Sequence, residues 1–209
     1  MDEKTLSLPS AAGMEKRIEE LQRMATRDAL SGLMNRDTLE RCIKERLAAM
    51  TAEETCALFI VDLDDFKRVN DTLGHQAGDQ AIRRAGKVLS GLFRASDIVG
   101  RLGGDEFAVF LCGRVTEKLV RSKAAAICAE LQLAMGDRSA VNITASVGVY
   151  LAEKGQAFEG LYHTADMALY KAKKAGKHRF YLKSGETSQE GNAAFRPVNS
   201  ILLGGLLEN

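Results

Sequence analysis

Apolar residues recur at helical spacing in Met14, Ile18, Leu21 and Ala25, with Glu and Arg between them. The pattern predicts an amphipathic helix with a coiled-coil-like stripe. Packing on its own domain is the plain reading of such a helix. The stripe stands apart from the segments that predict the core, which favours a dimerisation or signalling helix. Ser31-Gly32 interrupts it, and Asn35-Arg36-Asp37 opens a second helix with Leu39, Ile43 and Leu47 on one face. Ala57 to Val61 is continuously apolar and rich in β-branched residues, a buried strand ending at Asp62. Phe66–Leu73 and Gly78–Phe93 read as helices, the second with Ile82, Ala85, Val88, Leu89 and Leu92 inward. Ile98-Val99, Gly103-Gly104 and Phe107–Leu111 read as strand, turn and strand. A long helix is predicted from Thr116 to Met135, an alternating strand over Asn142–Tyr150, a helix over Phe158–Lys174 and a last strand over Arg179–Leu182. This order predicts a mixed sheet with helices packed on it. Residues 1–12 are expected to be mobile, and no element is predicted from Ser184 onward, where a flexible tail is expected.

Composition narrows the class. The chain has 209 residues, 45% hydrophobic and 27% charged, with a net charge of +1. These values describe a globular protein with no bulk field for nucleic acid or anionic membrane. No apolar run is long enough to span a bilayer, and no apolar core follows Met1-Asp2-Glu3-Lys4 as a signal peptide would require. Cys42, Cys56, Cys112 and Cys128 lack CxxC spacing and sit in apolar contexts, as reduced core residues of a cytoplasmic protein do. His75, His163 and His178 form no zinc-ligand spacing with them.

The chemistry lies in the acids. The first strand runs into Asp62-Leu63-Asp64-Asp65, and the Gly-Gly turn runs into Asp105-Glu106. In an extended chain Asp62 and Asp64 share one face. Adjacent acids at a hairpin tip repel each other, which a structural turn does not need and a cation site does. Mg²⁺ takes a few carboxylates and completes its octahedron with water and substrate phosphates. Paired ions of this kind serve phosphoryl and nucleotidyl transfer. An EF-hand is excluded, because Phe66 and Lys67 stand at the fifth and sixth loop positions counted from Asp62. No Walker A loop or GxGxxG is present. Cations available for phosphates are Lys67, Arg101 and the cluster Lys171, Lys173, Lys174, Lys177 and Arg179, most of which reads as a solvated helix end.

The string Arg101-Leu102-Gly103-Gly104-Asp105-Glu106-Phe107 resembles the signature of the GGDEF domains, the diguanylate cyclases. Asp28-Ala29-Leu30-Ser31-Gly32-Leu33-Met34-Asn35-Arg36 resembles the opening D-x-L-T-x-L-P-N-R of that family, with Ser for Thr and Met for Pro. Asp62 to His75 resembles D-x-D-x-F-K-x-x-N-D-x-x-G-H, with Gly78-Asp79 following in register. Thr144–Val149 resembles the late strand, and Ala165–Lys173 the A-D-x-A-L-Y-x-A-K helix.

The resemblance implies an α+β fold, a nucleotidyl-cyclase or polymerase-palm sandwich with a central five-stranded, mostly antiparallel sheet flanked by helices. It divides the chain into an N-terminal segment and helix at 1–26, a GGDEF domain at 27–183 and a tail at 184–209. It implies condensation of two GTP molecules to cyclic di-GMP and pyrophosphate, by a homodimer in which each domain holds one GTP. By matching position, Asp62, the Leu63 carbonyl, Asp105 and Glu106 hold Mg²⁺ or Mn²⁺, and Asp105 is the base for the 3′-hydroxyl. Asp105 stands where other members have Glu, so its arm is shorter. Asn70 and Asp79 read guanine, since a carboxylate accepts from N1–H and the amino group as adenine cannot allow. His75 lines that pocket. Lys67, Arg101, Lys173 and Lys177 contact phosphates, Lys177 standing where Arg is frequent and lacking its bidentate fork. Arg94 and Asp97 match the family's R-x-x-D site for inhibitory product, without the further arginine some members add from the next helix. The alternative is a module that binds GTP or cyclic di-GMP without turnover. Members of that kind usually have a damaged hairpin, and this hairpin is undamaged.

Overall fold

The computed structural model describes residues 11–135, 141–184 and 187–192. The helices are α1 (Ala11–Thr26), α2 (Arg36–Ala48), α3 (Phe66–Leu73), α4 (His75–Leu92), α5 (Glu117–Glu130) and α6 (Phe158–Lys174). The strands are β1 (Thr55–Asp64), β2 (Ile98–Gly103), β3 (Glu106–Gly113), β4 (Leu133–Met135), β5 (Val141–Glu153), β6 (Arg179–Ser184) and β7 (Thr187–Asn192). The sheet order is β2-β3-β1-β5-β6-β7. Its five-stranded centre matches the expectation. All pairings are antiparallel except β5 with β6, which α6 connects.

β1 is the central strand, and every residue after Thr55 in it is buried. Its run is continuously apolar because both faces are covered. Ala57, Phe59, Val61 and Leu63 face a core shared with α4 and α5, whereas Cys56, Leu58 and Ile60 face a second core shared with α2 and α6. The period-2 alternation therefore divides one strand between two helical layers.

Three local differences from the sequence reading have physical causes. α5 ends at Glu130, and Leu133–Met135 forms β4 against Val141–Ile143. The apolar residues that extended the helical pattern are used in a strand pair instead. Gly74, at φ 83°, separates α3 from α4, so α4 starts at His75 rather than Gly78. The segment from 184, read as a tail without structure, supplies β7, which pairs along β6 from Arg179↔Asn192 to Ser184↔Thr187. Backbone pairing at a sheet edge needs no apolar pattern, so the Gly/Ser-rich composition hid it. Residues 1–10 and 193–209, for which mobility was expected, lie outside the described residues.

α1 keeps its apolar stripe in solvent, with Met14, Ile18, Leu21 and Met24 all exposed. The Asn35 side chain ends the α1–α2 connection by donating to the Ala25 carbonyl and accepting from the Thr38 N–H as the cap of α2. Met34 forms a short parallel bridge to Gly100 on β2.

Candidate active site

β1 and β3 pair with Asp62 opposite Glu106, the residue that directly follows the turn Gly104-Asp105. The Leu63 N–H donates to the Asp105 carbonyl at 3.2 Å. This makes 63 and 105 a hydrogen-bonded pair and 62 and 106 a non-hydrogen-bonded pair, the closer of the two spacings. The carboxylates of Asp62 and Glu106 thus stand side by side on one face. The Leu63 carbonyl faces the hairpin, and the described residues include no reciprocal bond to it from Asp105. Gly104 has φ 53°, the left-handed turn position that a Cβ would strain. The expected Gly-Gly turn is shifted by one residue: Gly103 pairs with Glu106, and the two turn residues are Gly104 and Asp105.

Asp62 is buried, and Lys173 from the last turn of α6 reaches its Oδ2 at 2.7 Å. Burial pushes the Asp62 carboxyl up to about 6; Lys173 opposes this, while the charges of Asp105 and Glu106 add to it. The folded state therefore binds this proton more tightly than the unfolded chain. The cost of the buried charge is complete above pH 6 and is relieved as the pH falls toward the ordinary carboxylate range. Metal-free protein is accordingly expected to gain stability from this group between about pH 7 and about pH 4. Urea unfolding of the parent and of Asp62→Asn across that range checks it: the difference between them should narrow toward acid.

Asp64 and Asp65 behave differently. Buried Asp64 accepts from Thr144 Oγ1 and Ser146 Oγ at 2.7 Å and from the His178 N–H at 3.0 Å. Its oxygens are consumed in tying β1 to β5 and to the loop after α6. Asp65, left-handed at φ 57°, takes Lys177 Nζ at 2.7 Å. Lys177 is thus brought to the acids by Asp65, which raises the Lys177 pKa through that hydrogen bond.

The remaining expected residues fall in three places. Lys67 is exposed in the first turn of α3, and His75 is exposed at the start of α4. Asn70 is half-buried and lies against Gly78 of α4, where a Cβ would stand 2.0 Å from Asn70 Oδ1. The glycine lets α4 close on α3, and Asp79 is the next residue along α4. Asp79 is exposed, with Arg83 at 3.8 Å. Arg94 and Asp97 lie in the turn before β2, where Asp97 Oδ2 accepts from the Arg94 N–H at 2.8 Å.

Arg101, expected among the phosphate contacts, takes a different place. Its guanidinium donates to both oxygens of Asp28 at 3.0 Å and to the Gly104 carbonyl at 3.0 and 2.6 Å. It holds the turn from behind and ties it to the α1–α2 connection. Burial works against the Asp28 carboxylate, but hydrogen bonds from Ser31 and Arg101 outweigh it and keep the carboxyl below the usual range. Asp28 and Ser31 belong to the opening motif, but their partner lies 73 residues away from Asp28. Nothing local in the sequence indicates that pairing.

Among the described residues, no three His, Cys, Asp or Glu side chains are gathered into a ready metal cage. The donor set is open: one buried carboxylate held by a lysine, two acids at the hairpin and a backbone carbonyl. An open set of oxygen donors suits a hard cation that keeps water and substrate oxygens in its shell. No described helix is long and apolar enough to cross a membrane.

Comparison with known proteins identifies the family. Residues 25–179 match the model of the family described as diguanylate cyclase, GGDEF domain. The probable diguanylate cyclase DgcC of Escherichia coli K12 is 35% identical over 176 residues, which cover 83% of this chain and 47% of that protein. Diguanylate cyclase DgcS of Shewanella oneidensis is 30% identical over 174 residues, covering 81% and 57%. This chain thus spans about half the length of these curated relatives. The crystal structure of the coiled coil and GGDEF domain of DgcB from Caulobacter crescentus, in complex with c-di-GMP, superposes with a TM-score of 0.73 at 30% identity, covering 82% of this chain and 92% of that one. Five motifs in order, the strand order around β1 and the family match over most of the chain agree: the protein belongs to the GGDEF-domain family of diguanylate cyclases.

Proposed function

We propose that this chain condenses two GTP molecules into cyclic di-GMP with release of two pyrophosphates. The observation that carries the reading is the β1–β3 register, which sets the Gly104-Asp105 turn and Glu106 against Asp62 with Lys173 alongside. Asp62, the Leu63 carbonyl, Asp105 and Glu106 would hold Mg²⁺ or Mn²⁺. When bound, that ion would supply Lewis-acid neutralisation of phosphate charge and ease ionisation of the attacking hydroxyl. Asp105 accepts the 3′-hydroxyl proton as general base, and the oxygen attacks the α-phosphorus of the other GTP. Lys173, Lys177 and Lys67 meet the phosphates, and Lys173 exchanges Asp62 for substrate oxygens as nucleotide enters. Arg101 acts through the turn, by fixing the Gly104 carbonyl.

Guanine is read by Asn70 and Asp79, with His75 beside them. Gly78→Ala is expected to raise the KM for GTP about tenfold or more, because its methyl claims the space of the Asn70 carboxamide. The melting temperature should hold, since alanine in a helix interior offsets local strain by roughly 1 kcal/mol. Steady-state kinetics with thermal melting checks the pair of outcomes.

One domain supplies one GTP, so two copies must face each other. The exposed stripe of α1 supports dimerisation through that helix, and Arg94 with Asp97 would form the product-binding inhibitory site. A variant beginning at Thr26 is expected to lose dimerisation at low micromolar concentration and most of its turnover. Sedimentation and product assays check this, and an equally dimeric, equally active truncation would remove α1 from the reading.

The deciding experiment for the function is incubation of purified protein with GTP and Mg²⁺, followed by chromatography for cyclic di-GMP. Nucleotide binding without product, even with dimers enforced, would instead indicate a signalling module.

A further inference from the structure

At the other end of the same strand pair, Cys56 and Cys112 are register partners. The Leu63–Asp105 hydrogen bond sets the parity of the ladder. Pairs 63↔105, 61↔107, 59↔109 and 57↔111 are hydrogen-bonded, and 62↔106, 60↔108, 58↔110 and 56↔112 are not. In non-hydrogen-bonded pairs the Cα atoms lie about 4.5 Å apart and the side chains leave the sheet on the same face, close together. That spacing falls within the window of about 4.4–6.8 Å that a disulfide spans. Both residues belong to the α2/α6 core, both thiols are free, and Cys56 is fully buried while Cys112 is half-exposed. Cys42 lies on α2 and Cys128 on α5, and neither has a cysteine opposite it in a strand ladder.

We propose that Cys56 and Cys112 are a cross-strand redox pair, a modification site at which a low-molecular-weight disulfide closes an intrachain bond between β1 and β3. Cys112 is the entry sulfur, being the accessible one; burial raises its thiol pKa, and the Arg46 guanidinium opposes that rise. Its thiolate attacks the small disulfide, forming a mixed disulfide and expelling one thiol. Cys56 then gives up its proton to solvent and attacks the Cys112 sulfur, expelling the second thiol. Two protein thiols are oxidised to one disulfide, and one small disulfide is reduced to two thiols. Burial pushes the Cys56 thiol up to about 12, so the second step is the slow one.

The bond would close residues 56–112 into a loop containing Asp62, Asn70, Asp79, Asp105 and Glu106. Cross-linking so long a segment restricts the unfolded chain strongly. The consequence is a reversible staple on the strand pair that carries the acids, and it does not depend on the cyclase reading.

The test exposes folded, full-length protein to oxidised glutathione without denaturant. Free thiols should fall from four to two. Digestion without reductant should yield a peptide pair joining Cys56 to Cys112. The melting temperature should rise by on the order of 10 °C and return with dithiothreitol. Cys112→Ser and Cys56→Ser should each abolish the linkage and the shift, whereas Cys42→Ser with Cys128→Ser should keep both. Four thiols remaining free in the folded protein, a bond that forms only in denaturant, or a linkage through Cys42 or Cys128 would each overturn the proposal.

Discussion

Asp105→Asn is expected to lower cyclic di-GMP formation by about a thousandfold or more while the protein stays folded. Asparagine keeps the shape of the side chain, and the turn relies on the Asp105 backbone carbonyl, which accepts from Leu63. Nothing in the hairpin ladder is lost. What disappears is the charge. Removing a positioned general base costs roughly 10²–10⁴ in rate. Removing a carboxylate from the proposed cation site adds to that loss. The Asp62 carboxyl also responds, because Asp105 is one of the charges that raise it. With that charge gone, Asp62 should ionise at lower pH, so any residual activity should extend further into acid than that of the parent. Rate measurements at saturating GTP, beside a melting curve, check the prediction. Turnover within tenfold of the parent would remove Asp105 from the chemistry.

The second large effect is expected at Gly148, in the middle of β5 and far from the acids in sequence. A Cβ there would stand 2.1 Å from the Ala165 carbonyl oxygen and 2.2 Å from the Leu169 backbone nitrogen. These are atoms of the α6 backbone, which no rotamer change can move aside. Gly148→Ala must therefore push α6 off the sheet. Overpacking of this kind costs about 3 kcal/mol, which in a chain of this size lowers the melting temperature by roughly 6–12 °C. Lys173 rides on α6 and reaches Asp62 only because the helix lies so close to β5 and β1. Turnover per folded molecule should fall as well, by about tenfold, with the loss concentrated in kcat. A melting curve and kinetics on the same preparation separate the two effects. An unchanged melting temperature would show that the helix–sheet distance is less constrained than the backbone contacts require.

Much of the fold is legible in the chain because burial imposes a period. β1 reads as a continuous apolar run because helices cover both faces of the central strand. α2, α4 and α6 read as amphipathic because each has one face on the sheet. Elements held by backbone pairing leave weaker traces. β7 carries no apolar alternation, so its sequence gives no strand signal, and β4 continues the apolar spacing of α5, so its sequence takes the helical period.

The site divides in the same way. Carboxylates at a strand end and at a Gly-Gly turn are visible as residue types, as are the candidate cations. The sequence by itself determined the family, the hairpin and the identity of the acids, because backbone conformation and buried charge tolerate few residue types at those points. Tertiary structure decided which cation meets which acid. Lys173 goes to Asp62, Lys177 to Asp65 and Arg101 to Asp28, over separations from 73 to more than 100 residues. It also separated Asp62 from Asp64, neighbours on one face of one strand. Asp64 spends its oxygens on Thr144, Ser146 and the His178 backbone, while Asp62 is left to a single lysine. Long, freely rotating side chains carry no sequence record of their partners. Those partners are set by the register of the strands and by the close seating of α6 on Gly148.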